Sequence, residues 1–242
     1  MRPHLSVLML VARSTIYKII GLLLVLALVD GVLFYFAMGS EPSGLEDAFT
    51  QSRINIAFGV CFPIITILLD RTGYASGGKQ EYTLRRLSIS ERSIFVWHAF
   101  YNTSCYIMLW AAQLFMALAL CRLYLLRIDP TLTSGQTVFL AFYRNSFLHS
   151  HLPLGEVSRW VSNVAMIIGY GVTAAEIPFG ERRGKSGVSA FMRAWLALTL
   201  FNRGLGNYVS DVFLSMFGLA ITGVAIYRVW RDGREAEGEH ED

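Results

Sequence analysis

Apolar runs long enough to cross a bilayer recur along this chain, and they leave few folds open to it. A hydrocarbon core of ~30 Å takes ~20 helical residues, with ~17–25 as the working range. Ile16–Met38 fits, and the polar stretch 39–53 ends it. Ile54–Leu69 is shorter but free of charge, and Asp70-Arg71 stops it. Ile94–Leu120 is long, so its first turns belong to the interface. Trp160–Phe179 is closed by Pro178 and a basic turn, Val188–Phe201 is short, and Val212–Trp230 precedes the acidic tail. The fold class expected is all-α: a polytopic transmembrane helix bundle of six spans.

Composition agrees. The chain has 242 residues, 54% hydrophobic and only 16% charged, against roughly 25% charged in soluble domains. One membrane domain over 1–230 accounts for the spans, and 231–242 reads as a disordered acidic cytoplasmic tail. The first run exceeds a signal-peptide core and has no small-x-small cleavage site after it, so it is expected to stay as a membrane helix. Three cysteines without CxxC spacing argue against a disulfide framework or a zinc site. Cys61, Cys105 and Cys121 read as packing residues.

One segment tests the count. Thr137–Leu148 is apolar and aromatic but too short to span, and it contains Arg144. If it does not cross, the N-terminus, 70–93, 181–193 and the tail share one side. That side then holds 15 of the 21 basic residues, as expected for a cytoplasmic face. If 137–148 crossed, the Arg182-Arg183-Gly184-Lys185 cluster would move outside. The segment is therefore placed on the outer side, interfacial or re-entrant, with both termini cytoplasmic.

Candidate chemistry is sparse. Gly180-Glu-Arg-Arg-Gly184-Lys185-Ser186 imitates a phosphate loop, but three residues separate its glycines where four are required, and it follows a membrane helix instead of a strand. No ATPase of its own is expected. His149 and His151 beside Glu156 could suggest a metal, yet residues at i and i+2 do not share a helix face; no metal or other cofactor is expected on this chain. Polar residues inside the spans carry more weight, because charge in hydrocarbon is costly and faces a bundle interior, pairs or snorkels. Asp30, Asn102, Gln113 and Glu176 are the candidate path or gate residues. His98 lies one turn from Asn102, Arg193 is close enough to a helix end to snorkel, and Glu176 could pair with Arg182 or Arg183. The most informative stretch is 79–93, KQEYTLRRLSISERS, where Tyr82, Leu84, Leu87 and Ile89 interleave with Arg85, Arg86 and Arg92. A short amphipathic helix at Gln80–Leu87, lying along the cytoplasmic surface and its lipid, fits that pattern.

Taken with the apolar-basic start (HLSVLMLVARSTIYK) and the absence of a nucleotide motif, the loop EYTLRRLSISERSIF resembles the first cytoplasmic loop of type-2 ABC exporter permeases, with Ser88 where that family commonly has proline. The resemblance implies a six-span membrane subunit of the bacterial cytoplasmic (inner) membrane. It implies a second permease subunit, identical or homologous, and a separate ABC ATPase chain that binds the ATP. It makes the helix near Gln80–Leu87 a coupling helix, with Leu84, Leu87 and Tyr82 as its apolar knob and Glu81, Arg85 and Arg86 as charged anchors. Arg13 and Lys18 would hold an N-terminal interfacial helix at the headgroups, and 122–159 would cap the path. Nothing implies a nucleic-acid partner. Two other classes stay open at this point: an intramembrane hydrolase or protease using Glu176 or His98, and a non-catalytic scaffold or immunity protein.

Overall fold

The computed structural model describes residues 2–40, 44–70, 90–128, 136–182, 190–201 and 206–238. Every regular element among them is helical: α1 (Arg2–Met38), α2 (Leu45–Ser52), α3 (Ile54–Asp70), α4 (Glu91–Arg127), α5 (Thr137–Arg144), α6 (Ser146–His151), α7 (Val157–Arg182), α8 (Ala190–Phe201) and α9 (Tyr208–Gly238). In lipid the backbone must satisfy its own hydrogen bonds, which helices do internally.

Four helical stretches are long and apolar enough to cross a membrane: Thr15–Met38, Arg92–Arg127, Val157–Pro178 and Tyr208–Arg231. The pair α2 and α3, bent by 47°, makes a fifth if the two are taken together. The count read from the sequence was six. The difference lies in α8, whose 12 residues rise only about 18 Å. Other boundaries also move. Instead of an interfacial helix followed by a span, α1 is one helix of 37 residues; Pro3 falls in its first turn, where proline is tolerated, and no glycine or proline follows before Gly21. Pro178 does not end α7, which continues to Arg182. α9 runs on to Gly238, into the acidic stretch.

Paired contacts fix the direction of each helix. Thr15 meets Tyr101 (O···O 2.7 Å) and Gln113 donates to Asp30 (2.9 Å), so α1 and α4 run parallel. Tyr106 meets Phe62 and Thr66, while Trp110 reaches the His151 carbonyl beside Phe58, so α3 opposes α4. Gly171 abuts Thr103 and Trp160 packs on Trp110, so α7 also opposes α4. α8 opposes α3, with Phe201 on Phe58 at one end and Arg193 on Asp70 at the other. Arg159–Asp211, Ala165–Gly218 and Glu176–Arg228 keep one register, so α7 and α9 are parallel. Thus α1, α3, α4, α7, α8 and α9 alternate in direction.

The interior explains this packing. Phe58, Phe62, Tyr106, Tyr170 and Phe201 interlock at centroid separations of 5.0–6.4 Å, bringing α3, α4, α7 and α8 around one aromatic cluster. Small residues allow the closest approaches. A Cβ on Gly171 would fall 2.6 Å from the Thr103 nitrogen, and one on Gly218 would fall 2.8 Å from the Ala165 carbonyl carbon. Close contact through glycine is how membrane helices gain packing without a hydrophobic driving force between them.

Candidate functional site

Polar side chains are buried at three levels of the bundle. At the end where α1 gives way to α2 and α4 to α5, Arg144 pairs with Glu46 at 3.4 Å, and Asn145 donates to the Glu46 carbonyl and to Thr50. Helix α2 and the junction of α5 and α6 therefore meet at one end. Asn145 also caps α6, accepting from the nitrogens of Phe147 and Leu148 at 3.1 Å. This turns α6 inward, so that Phe147 through His151 are all buried.

From there the two histidines diverge. His149 lies between the Phe142 carbonyl (Nδ1, 3.2 Å) and Glu156 (Nε2, 3.3 Å). His151 donates from Nδ1 to the Phe147 carbonyl at 2.9 Å and sits among Phe58, Phe147 and Phe201, stacked on Phe201 with centroids 4.7 Å apart. That burial pushes its imidazole down to about 4, against the Phe147 carbonyl, which favours the protonated ring. Among the described residues no three of His, Cys, Asp or Glu are placed to hold a metal.

Beside His149, Arg159 is fully buried between two carboxylates, 3.1 Å from Glu156 and 3.7 Å from Asp211, and Ser158 donates to Asp211 at 3.1 Å. This cluster ties the cap formed by α5 and α6 to the starts of α7 and α9. Sequence reasoning missed it because Arg159 and Asp211 fall one residue outside the apolar runs that begin at Trp160 and Val212. The signal available was the Glu156-x-x-Arg159 spacing, which puts opposite charges on one helix face.

Mid-bundle, Asp30 and Gln113 are brought together by the hydrogen bond between α1 and α4. Asn102 lies on the same face of α4, eleven residues before Gln113 and so about 16 Å along the helix. It is fully buried, and neither its amide oxygen nor its nitrogen has a hydrogen-bond partner among the described residues. His98, one turn earlier, is buried too. Glu176 is not part of this column. It pairs across to Arg228 of α9 at 3.1 Å, where the sequence suggested Arg182 or Arg183. The parallel register of α7 and α9, invisible in the sequence, selects that partner.

At the opposite end, Arg193 does not snorkel. It is fully buried and bonded to Asp70, the last residue of α3. Ser90 caps α4 through its hydroxyl, which accepts from the Ser93 nitrogen, and Trp230 packs on Phe95 with centroids 6.1 Å apart. The coupling residues read from the sequence, Glu81, Tyr82, Leu84, Arg85, Arg86 and Leu87, lie outside the described residues. Their flanks, Asp70 and Ser90, both stand at this end. No model of a known protein family, no curated protein and no solved structure matches the chain.

Proposed function

We propose that this chain is the transmembrane subunit of an ABC transporter, with six crossings, both termini in the cytoplasm and a separate ATPase chain as its motor. The observation that supports the reading most is the alternation in direction of α1, α3, α4, α7, α8 and α9. Parallel α7 and α9 require the chain to return between them, and α8 is the element available for that return. Its 12 residues fall short of a full crossing, and α6 enters from the other end to meet it, His151 on Phe201. Six crossings put the chain between Asp70 and Ser90 on the side of the basic turns and the tail, as the charge rule asks of a cytoplasmic face.

In this reading Tyr82, Leu84 and Leu87 form the knob that seats in the motor, anchored by Glu81, Arg85 and Arg86, and a second permease subunit completes the path. Short α3 and α8, tied together by Asp70 and Arg193 at the motor side, transmit the stroke toward the aromatic cluster. Asp30, Gln113 and Asn102 are the polar groups that a moving substrate or water would reach as α1 and α4 separate. A membrane extract carrying a tag on this chain should yield a second chain with a complete phosphate-binding loop. The Arg85→Glu/Arg86→Glu double variant should lose that chain or its substrate-stimulated ATP hydrolysis. Retention of both by the double variant removes the coupling role, and absence of any ATPase from the wild-type preparation removes the transporter reading.

A further inference from the structure

The outside of the bundle carries a groove of about 450 Å³ between α1 and α3, within the roughly 300–1,000 Å³ of ligand sites. One wall runs along α1 from Leu22 to Leu33, and the other along α3 from Ile56 to Ile64. The walls are wholly aliphatic apart from the Cys61 sulfur, and Arg53, the one charged residue beside them, contributes only its non-polar atoms to the lining. The groove opens to the lipid side, since Val25 and Ile56, one on each wall, are more than half exposed.

Two features define its occupant. The first is length. Because α1 and α3 are antiparallel, Leu33 and Arg53 mark one end, and Leu22 and Ile64, eleven residues away on each helix, mark the other. Eleven residues rise about 16 Å, close to half of the ~30 Å hydrocarbon core. The groove is therefore one leaflet deep.

The second is charge. Arg53 stands at the bend between α2 and α3 as the one non-glycine residue with positive φ (54°) among the described residues. It is exposed and has no carboxylate partner among the described residues. Glu46, an acidic residue on neighbouring α2, is taken by Arg144, and Gln51 accepts from Ser40. A guanidinium free to make paired hydrogen bonds suits a phosphate oxygen pair, and Arg53 stands at one end of an apolar channel.

We propose that the groove between α1 and α3 holds one acyl chain of an anionic phospholipid from the leaflet on the α2 side, with its phosphate on Arg53. This does not rest on the transporter reading, because it follows from the groove alone.

Native mass spectrometry on the full chain, extracted from vesicles of equal phosphatidylglycerol and phosphatidylcholine, tests it. One retained phospholipid is expected, enriched in phosphatidylglycerol roughly fivefold, the size of one surface arginine's attraction for anionic lipid. Arg53→Gln, a surface change that leaves the helices intact, should bring the ratio to about one while a lipid is still retained. Ala57→Trp fills the groove and should abolish retention in protein that remains monodisperse. Equal retention of the two lipids by the wild type, or an unchanged preference in Arg53→Gln, overturns the proposal. Ready disulfide crosslinking of Ile56→Cys between two copies in the membrane overturns it as well, by making the groove an interface between copies.

Discussion

Removing Arg193 leaves the Asp70 carboxylate at the end of a membrane helix without its bonded guanidinium. Breaking one partner of a buried pair costs about 3–5 kcal/mol, because the survivor is left charged and dehydrated. Arg193→Ala should therefore lower the thermal midpoint in detergent sharply, and Asp70→Ala/Arg193→Ala should recover much of the loss. Equal loss in Arg193→Ala and the double variant would mean that the stranded carboxylate carries no penalty, and losses that simply add would mean that the two side chains do not interact. His151 gives a pH test with a definite sign. The unfolded imidazole takes a proton near ~6.5, whereas the folded one resists until about 4. Stability is thus fully present above the unfolded value, falls as pH drops through this window, and levels off below it. In His151→Phe, unfolding midpoints across the window should lose that component of their pH dependence. At this scale the sequence showed which polar residues sit inside the spans but not who meets them. Asp30 with Gln113, Arg193 with Asp70 and Glu176 with Arg228 all join residues more than fifty positions apart, and no local spacing encodes such a choice.

The existence of the long apolar helices was legible, because apolar length and helical hydrogen bonding leave the backbone little alternative in lipid, whereas α2 lay hidden in a stretch that read only as polar. Helix ends were less so. Pro178 reads as a stop, yet α7 passes it, since a proline near a helix end removes only one donor and neighbouring helices cover the vacancy. The pairing of α7 with α9 depends on glycine at a place that a hydropathy reading passes over. Gly218→Ala pushes a methyl into the Ala165 backbone and should destabilise by about 1–3 kcal/mol, the usual penalty for overpacking. Gly223 on the same helix has nothing within 4 Å of the added methyl. Gly223→Ala should be neutral or stabilise by up to ~1 kcal/mol through helix propensity. Thermal unfolding of the two variants side by side checks this. Equal shifts would place the close contact elsewhere.

For the molecule as a whole, the proposed orientation draws on charge distribution and on helix direction. The sequence grouped the basic residues on one side by assuming that 137–148 does not cross. The structure gathers 44–53 and 136–159 at one end through Arg144, Glu46 and Asn145, and it leaves Asp70, Ser90 and Arg193 at the other. What a hydropathy reading could not supply is the meeting of the 12-residue α8 with α6 from a distant part of the chain, His151 on Phe201. Opposite exposure of the two ends is the claim on which motor docking depends, and thiol labelling in intact cells tests it most directly. The native cysteines are all buried, so single cysteines placed at exposed Ser90 and Tyr143 report cleanly. A membrane-impermeant maleimide should modify Tyr143→Cys in intact cells and Ser90→Cys only after permeabilisation. Modification of Ser90→Cys from outside would contradict the account, because the arginine-bearing stretch would then face away from ATP.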